Sequence, residues 1–231
     1  MDATAAAYPK LTTFSELTID GRLTLTPGGS SKALFAYYDA ALQQWFHAQR
    51  AAHDAIMVGA GTVRTDDPEL TVRHVAGPNP LRVIPTNDGN LPDDAHVLRD
   101  RHPTLLAVPD DLPAAVAERL TQGAVELLRC GPGRVDLRLM LAGLAARGIR
   151  SLMVEGGSRL LAGLFAAGLV NRIVIKHIPV IAGCQPGQSA GSPFLDCADG
   201  GLPLSRWQVV DWRVIGGVGV SVYDPMAGPD Q

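Results

Sequence analysis

Two short apolar runs in this chain end in glycine. Residues 55–58 (AIMV) lead into Gly59-Ala60-Gly61-Thr62, and residues 151–154 (SLMV) lead into Glu155-Gly156-Gly157-Ser158. Glycine at such a point lets backbone N–H groups approach a phosphate with no Cβ in the way. A helix beginning there adds the positive end of its dipole. In the second cluster Ser158 reads as the N-cap of the following helix, which makes 156–158 an anion site. Glu155 falls at the carboxyl end of its strand, where ligands bind in open α/β sheets, and it can accept hydrogen bonds from amino or hydroxyl groups. Arg50, Arg64 and Arg73, with Asp66 and Asp67, flank the first turn in sequence. Arginine is the side chain suited to bidentate phosphate recognition. Two glycine-lined turns suit one extended, phosphate-bearing ligand lying across the sheet edge, and a dinucleotide has that form. Each feature also has a plainer reading. Gly59-x-Gly61 is equally a tight strand-to-helix turn, since Arg64 stands where a third fingerprint glycine would be. Glu155 is alternatively a solvated turn residue, and each arginine a surface ion-pair partner.

Other chemistries lack their residues. There is no HExxH and no His/Cys cluster spaced for zinc, so no metal site is expected. The GxxxxGK[ST] loop and the H-x-E…P-C-x-x-C deaminase signature are both missing. The six histidines are scattered.

These groups need a sheet behind them. Continuous apolar runs at 55–58, 81–84, 104–108 and 151–154 have the form of strands buried on both faces. Residues 11–19, 125–128 and 172–178 read as further strands, and 207–215 with 218–223 as a hairpin around Gly216-Gly217. Helices are expected over 33–52 (with Ser30 or Ser31 as cap), 114–120, 136–147 and 159–167. Strands alternate with helices, so the expected fold is α/β. It has three layers: a mostly parallel mixed sheet, helices on both faces, and a C-terminal antiparallel hairpin. The chain has 231 residues, 46% apolar and 19% charged, with a net charge of −3. At roughly 150 residues per domain this allows one domain or two. No Ser/Gly linker divides it, so one domain over 11–225 is expected, with tails at 1–10 and 226–231. The near-neutral charge argues against nucleic acid as a partner. No apolar run reaches the ~18–20 residues that cross a bilayer. The N-terminus lacks a basic leader, and three distant cysteines form no disulfide framework. A soluble cytoplasmic protein handling small molecules is expected.

The order TIDGRL (18–23), GGSSK (28–32), Arg50, DAIMVGAGTVRTDDPELTVR (54–73), PLRV (80–83) and the block 135–183 containing VEGGSRLLAG resembles the pyrimidine reductase domain of riboflavin biosynthesis. The likeness runs from about residue 11 to 224. It implies a dihydrofolate-reductase-like fold, NADPH as cofactor, and reduction of the ribosylamino group of a 5-phosphoribosylaminopyrimidine to a ribitylamino group. By position it implies substrate contacts at Ser30, Arg50, Leu70, Arg73 and Glu155. Dinucleotide contacts are implied at Lys32, Gly59, Gly61, Thr62, Asp66 and along 156–163, which includes Gly156, Gly157, Ser158, Arg159 and Leu160. Glu155 is the carboxylate implied to orient the substrate or handle a proton. Such proteins commonly pair as homodimers.

The chain departs from the family pattern in places. Phe14 stands where many relatives carry Lys, Lys32 where an aromatic is frequent, and Pro85-Thr86-Asn87 replaces an Asp-Ser strand end. Thr86 is the hydroxyl left to meet a 2′-phosphate. The missing zinc signature implies a reductase without a fused deaminase, acting on either the diamino or the deaminated pyrimidine. Two alternatives stay open: a paralogue reducing another pyrimidine- or pteridine-like compound, such as dihydrofolate or a natural-product intermediate, and a nucleotide-binding paralogue without catalysis.

Overall fold

The structure, a computed structural model, describes residues 8–121, 123–184, 190–197 and 201–226. Most of both expected tails and part of the loop at 182–203 lie outside the described residues.

Nine strands form one sheet: β1 (Lys10–Thr18), β2 (Ala55–Met57), β3 (Leu81–Pro85), β4 (Thr104–Val108), β5 (Val125–Arg129), β6 (Ser151–Val154), β7 (Arg172–Ile178), β8 (Trp207–Ile215) and β9 (Val218–Pro225). Their order is β5-β4-β3-β2-β6-β1-β7-β9-β8. The strands from β5 across to β7 pair in parallel, whereas β9 joins β7 antiparallel and β8 closes the edge antiparallel to β9. This is the expected three-layer mixed sheet with its C-terminal hairpin.

Alternation along the strands divides the core in two. Ile56 and Val58 of the second strand region face one way, with Phe14, Ile84 and Leu106. They pack under α1 (Ala40–Ala51), α2 (Ala60–Asp66), α3 (His96–Arg99) and α4 (Ala114–Leu120). Ala55 and Met57 face the other way, with Val83, Leu105 and Leu152, under α5 (Leu137–Ala146) and α6 (Ser158–Ala166). Strands buried on both faces explain the unbroken apolar runs. The starts of β2 and β6 are pinned by Asp54. Its carboxylate accepts from the N–H groups of Arg150 and Ser151 and from the Ser151 hydroxyl, each at 2.9 Å.

The helix expected over 33–52 is in fact two elements. Ser30 accepts from the Lys32 N–H and starts a 3₁₀ helix, Ser31–Tyr37, and Asp39 then caps α1 by accepting from the Leu42 N–H at 2.8 Å. The capping carboxylate needs extended backbone at Asp39, which breaks the helix between the two halves. Ser158 is the first residue of α6 rather than its cap. Gly157, at φ 96°, occupies the cap position with no side chain to bond the helix. Helix α2 follows the first glycine turn, whereas α3 is too short to show a clear period in the sequence.

Candidate active site

Because β2 and β6 are neighbours, with Met57 opposite Val154, their two glycine turns lie side by side. The Gly59 N–H donates to the Gly156 carbonyl at 3.4 Å, and the Glu155 N–H to the Met57 carbonyl at 3.0 Å. Gly157 holds a φ of +96°, which L side chains rarely adopt, and this is what requires glycine here; a Cβ would meet Thr62 Oγ1 at 3.4 Å and the Gly59 nitrogen at 3.6 Å, both ordinary contacts. Helices α2 and α6 both start at this point, and neither has a side-chain cap. Among the described residues the N–H groups of Ala60, Gly61, Ser158, Arg159 and Leu160 have no protein acceptor. Two neighbouring helix starts with free N–H groups form a cradle for anions. They open into a cavity of about 620 Å³, within the usual range for small-molecule sites.

Glu155 stands at the cavity wall, and Arg50 from the last turn of α1 grips it from behind. Arg50 Nε and Nη2 each donate to the carboxylate at 2.6 Å, and Nη1 donates to the Thr71 carbonyl at 2.9 Å. Both side chains of the pair are more than nine-tenths buried. Burial alone would lower the Arg50 pKa, but the Glu155 carboxylate outweighs it and holds the pKa above its ordinary value. Such a fork fixes a carboxylate's orientation as well as its charge. Arg50 also lies 5.0 Å from the ring of Phe46.

The remaining expected site residues divide by position. Gly59, Gly61, Thr62, Asp66, Gly156, Gly157, Ser158, Arg159 and Leu160 all line the cavity. Asp66 is buried; one carboxylate oxygen accepts from Ser31 Oγ at 3.0 Å, and the other has no partner. Arg159 reaches outward to Asp196 at 3.1 Å. Leu70 is 1% exposed and holds a φ of +55°, in the segment that turns back from α2. Arg73 is half-exposed beside it, donating to Glu69 and Thr71. Ser30 is occupied as a cap, and Lys32 is exposed. Thr86 is buried, and its hydroxyl accepts from the Gly89 N–H within a local turn. The cavity there is lined by Pro85, Asn87 and the exposed Arg134.

Sequence reasoning missed three residues that the fold brings to this site. Glu16 lines the cavity, and Lys176 and Tyr38 both donate to it. The available signal was Lys176 itself, a charge set within the apolar stretch that follows Arg172 in the run RIVIKHI. Histidine 47 lies nearby, accepting from the Arg73 N–H through Nδ1 at 3.1 Å. Burial, reinforced by Arg50 and Arg73, lowers its pKa to about 3. Among the described residues no group of three or more His, Cys, Asp or Glu is placed to hold a metal, and no helix is long and apolar enough to cross a membrane.

Residues 9–218 match the family model described as the RibD C-terminal domain. A 2,5-diamino-6-ribosylamino-4(3H)-pyrimidinone 5′-phosphate reductase from Aquifex aeolicus is 41% identical over 176 residues, 76% of this chain and 79% of that protein. Its namesake from Methanothermobacter thermautotrophicus is 36% identical over 170 residues, 72% of this chain and 76% of that protein. The crystal structure of a pyrimidine reductase-like protein from Corynebacterium diphtheriae matches with a TM-score of 0.77, covering 95% of this chain and 93% of that one. At 19% identity that last likeness is one of fold.

Proposed function

The chain belongs to the RibD C-terminal domain family, and from that premise we propose that it is an NADPH-dependent reductase. It converts the ribosylamino group of a 5-phosphoribosylaminopyrimidine to a ribitylamino group, a step of riboflavin biosynthesis, and works in the cytoplasm. The observation that carries this reading is the pair of uncapped helix starts beside a carboxylate locked by Arg50, all in one cavity.

The residues present fit a nicotinamide dinucleotide. The free N–H groups of 60–61 and 158–160 meet the charge of its pyrophosphate, and the glycines leave the space a Cβ would fill. Arg134 beside Asn87 offers the cation for a 2′-phosphate, in place of the internally bonded Thr86. When bound, the cofactor supplies a hydride.

The substrate's furanose opens by breaking the C1′–O bond, the oxygen taking the proton of the amine to leave an imine. Addition of hydride at C1′ and of a proton at nitrogen then completes the ribitylamine. In this reaction Glu155 orients. Held at both oxygens by Arg50, it presents its remaining lone pairs to the sugar hydroxyls. The 5′-phosphate is assigned to Arg73, a half-exposed cation outside the residues that line the cavity. Leu70, buried and with a φ of +55°, sets the course of the chain into Thr71 and Arg73. The exposed apolar strand β8, with Val209, Trp212 and Val214 more than half exposed, is where a second copy pairs to form a homodimer.

The test is oxidation of NADPH by the purified protein in the presence of the pyrimidine phosphate. Turnover that requires both, and falls at least about tenfold with NADH, is expected. Tight NADPH binding with no turnover on either the diamino or the deaminated phosphate contradicts the reading.

A further inference from the structure

Beside the Arg50–Glu155 pair lies a second buried ion pair. Glu16 on β1 stands opposite Lys176 on β7 in the strand register. The Lys176 side chain is wholly buried and that of Glu16 is 8% exposed. Lys176 Nζ and the Tyr38 hydroxyl both donate to the same oxygen, Oε1. Lys176 also lies 3.4 Å from the centre of the Phe46 ring, the ring that Arg50 approaches at 5.0 Å. The two ion pairs thus share one aromatic partition.

The topology aims this carboxylate at the ligand. Strand β6 ends at Val154, opposite Thr13, so β1 continues past it without that neighbour. Glu16 sits on this overhang and lines the cavity, whereas Lys176 behind it does not. Among the described residues Oε2 has no hydrogen-bond partner. Oε2 keeps some solvent access, and Glu16 is part of the cavity wall. A carboxylate held on one oxygen by an ammonium and a phenol, with the other oxygen unpaired at the wall of a half-open cavity, is an acceptor in want of a donor.

Resting on the proposed reductase activity, we propose that Glu16 selects between the two possible substrate rings. The diaminopyrimidinone carries an exocyclic amine at C2 beside a ring N–H, an edge made of donors. Glu16 Oε2 accepts from that amine. Deamination replaces the amine with a carbonyl oxygen, which would set one acceptor against another. Lys176 and Tyr38 position the carboxylate by occupying Oε1, leaving Oε2 to the substrate. A site built around a buried acceptor discriminates strongly against a ligand that lacks the donor.

The experiment compares kcat/KM for the diamino and the deaminated phosphates, with NADPH, in the parent chain, in Glu16→Gln and in Glu16→Gln/Lys176→Met. The double variant removes both charges together, so that no unpaired ion is left buried. The parent prefers the diamino compound. In both variants the ratio of the two constants falls about 10- to 100-fold, the worth of one hydrogen bond to a charged group, while the NADPH dissociation constant stays within twofold. If the ratio is unchanged, or both substrates lose equally, Glu16 is a structural ion-pair partner and the assignment is overturned. Absence of turnover by the parent chain on either compound overturns the reductase reading beneath it and this assignment with it.

Discussion

At the scale of single residues, the site depends on charges that are held rather than free. Arg50 and Glu155 are 105 positions apart, and each contacts the other through two bonds of 2.6 Å. Arg50→Lys keeps the charge but loses the planar fork. It is expected to lower kcat/KM by at least about tenfold while the protein remains folded, measured by steady-state kinetics beside thermal melting. Arg50→Met leaves a buried carboxylate unpaired and should cost about 3–5 kcal/mol of stability as well. His47 carries a pH dependence. Its folded pKa of about 3 lies below the unfolded value near 6.5, so its contribution to stability is complete above pH 6.5 and is lost as pH falls toward 3. In thermal melts, His47→Gln is expected to flatten the fall in Tm between pH 6.5 and 4 relative to the parent, and an unaltered slope would contradict this. Residue types alone made Glu155 and the arginines legible as site candidates. Their pairing was not legible, because a contact across 105 residues leaves no local periodicity. Glu16 was hidden for the same reason: on its own strand it looks like one acid among threonines, and only Lys176 across the sheet gives it meaning.

At the scale of elements, two βα turns do the positioning, and glycine makes them possible. Gly157 has a φ of +96°, a backbone conformation that L side chains rarely adopt. Gly157→Ala is expected to cost about 1–3 kcal/mol and to weaken NADPH binding at least about tenfold by turning the backbone that presents the start of α6. Titration of NADPH fluorescence measures the second effect, and unchanged affinity would show that the cradle does not bind the cofactor. The strand ends and glycines of this motif were plain in the sequence, since strands buried on both faces are continuous apolar runs. The break between Tyr37 and Ala40 was not. The apolar spacing continues across it, and only the Asp39 carboxylate, bonding the Leu42 N–H, decides where the second helix starts. Ser158 misled in the opposite direction. It has the right side chain for a cap, but Gly157 takes the cap position, which leaves the helix's first N–H groups open to a ligand.

At the scale of the whole molecule, seven parallel strands build the site and a terminal hairpin provides an edge. Strand β8 exposes Val209, Val210, Trp212 and Val214, an apolar border that an isolated chain would have to protect from pairing. Trp212→Glu is expected to shift the protein from dimer to monomer in sedimentation, with its melting temperature nearly unchanged. A parent chain that is monomeric at all concentrations would refute pairing through this edge. The sheet architecture followed from the alternation of strands and helices, while the strand order, with β6 between β2 and β1, emerges only from tertiary pairing. That order is what sets Glu155, Glu16 and both glycine turns around one cavity. The measurement that tests this account most directly uses NADPH deuterated at the nicotinamide C4, on the transferred face, with the diaminopyrimidine phosphate. The account predicts a ribitylamino product bearing one deuterium at C1′, located by mass spectrometry and NMR. Product without label at C1′, or no product while NADPH binds, would contradict it.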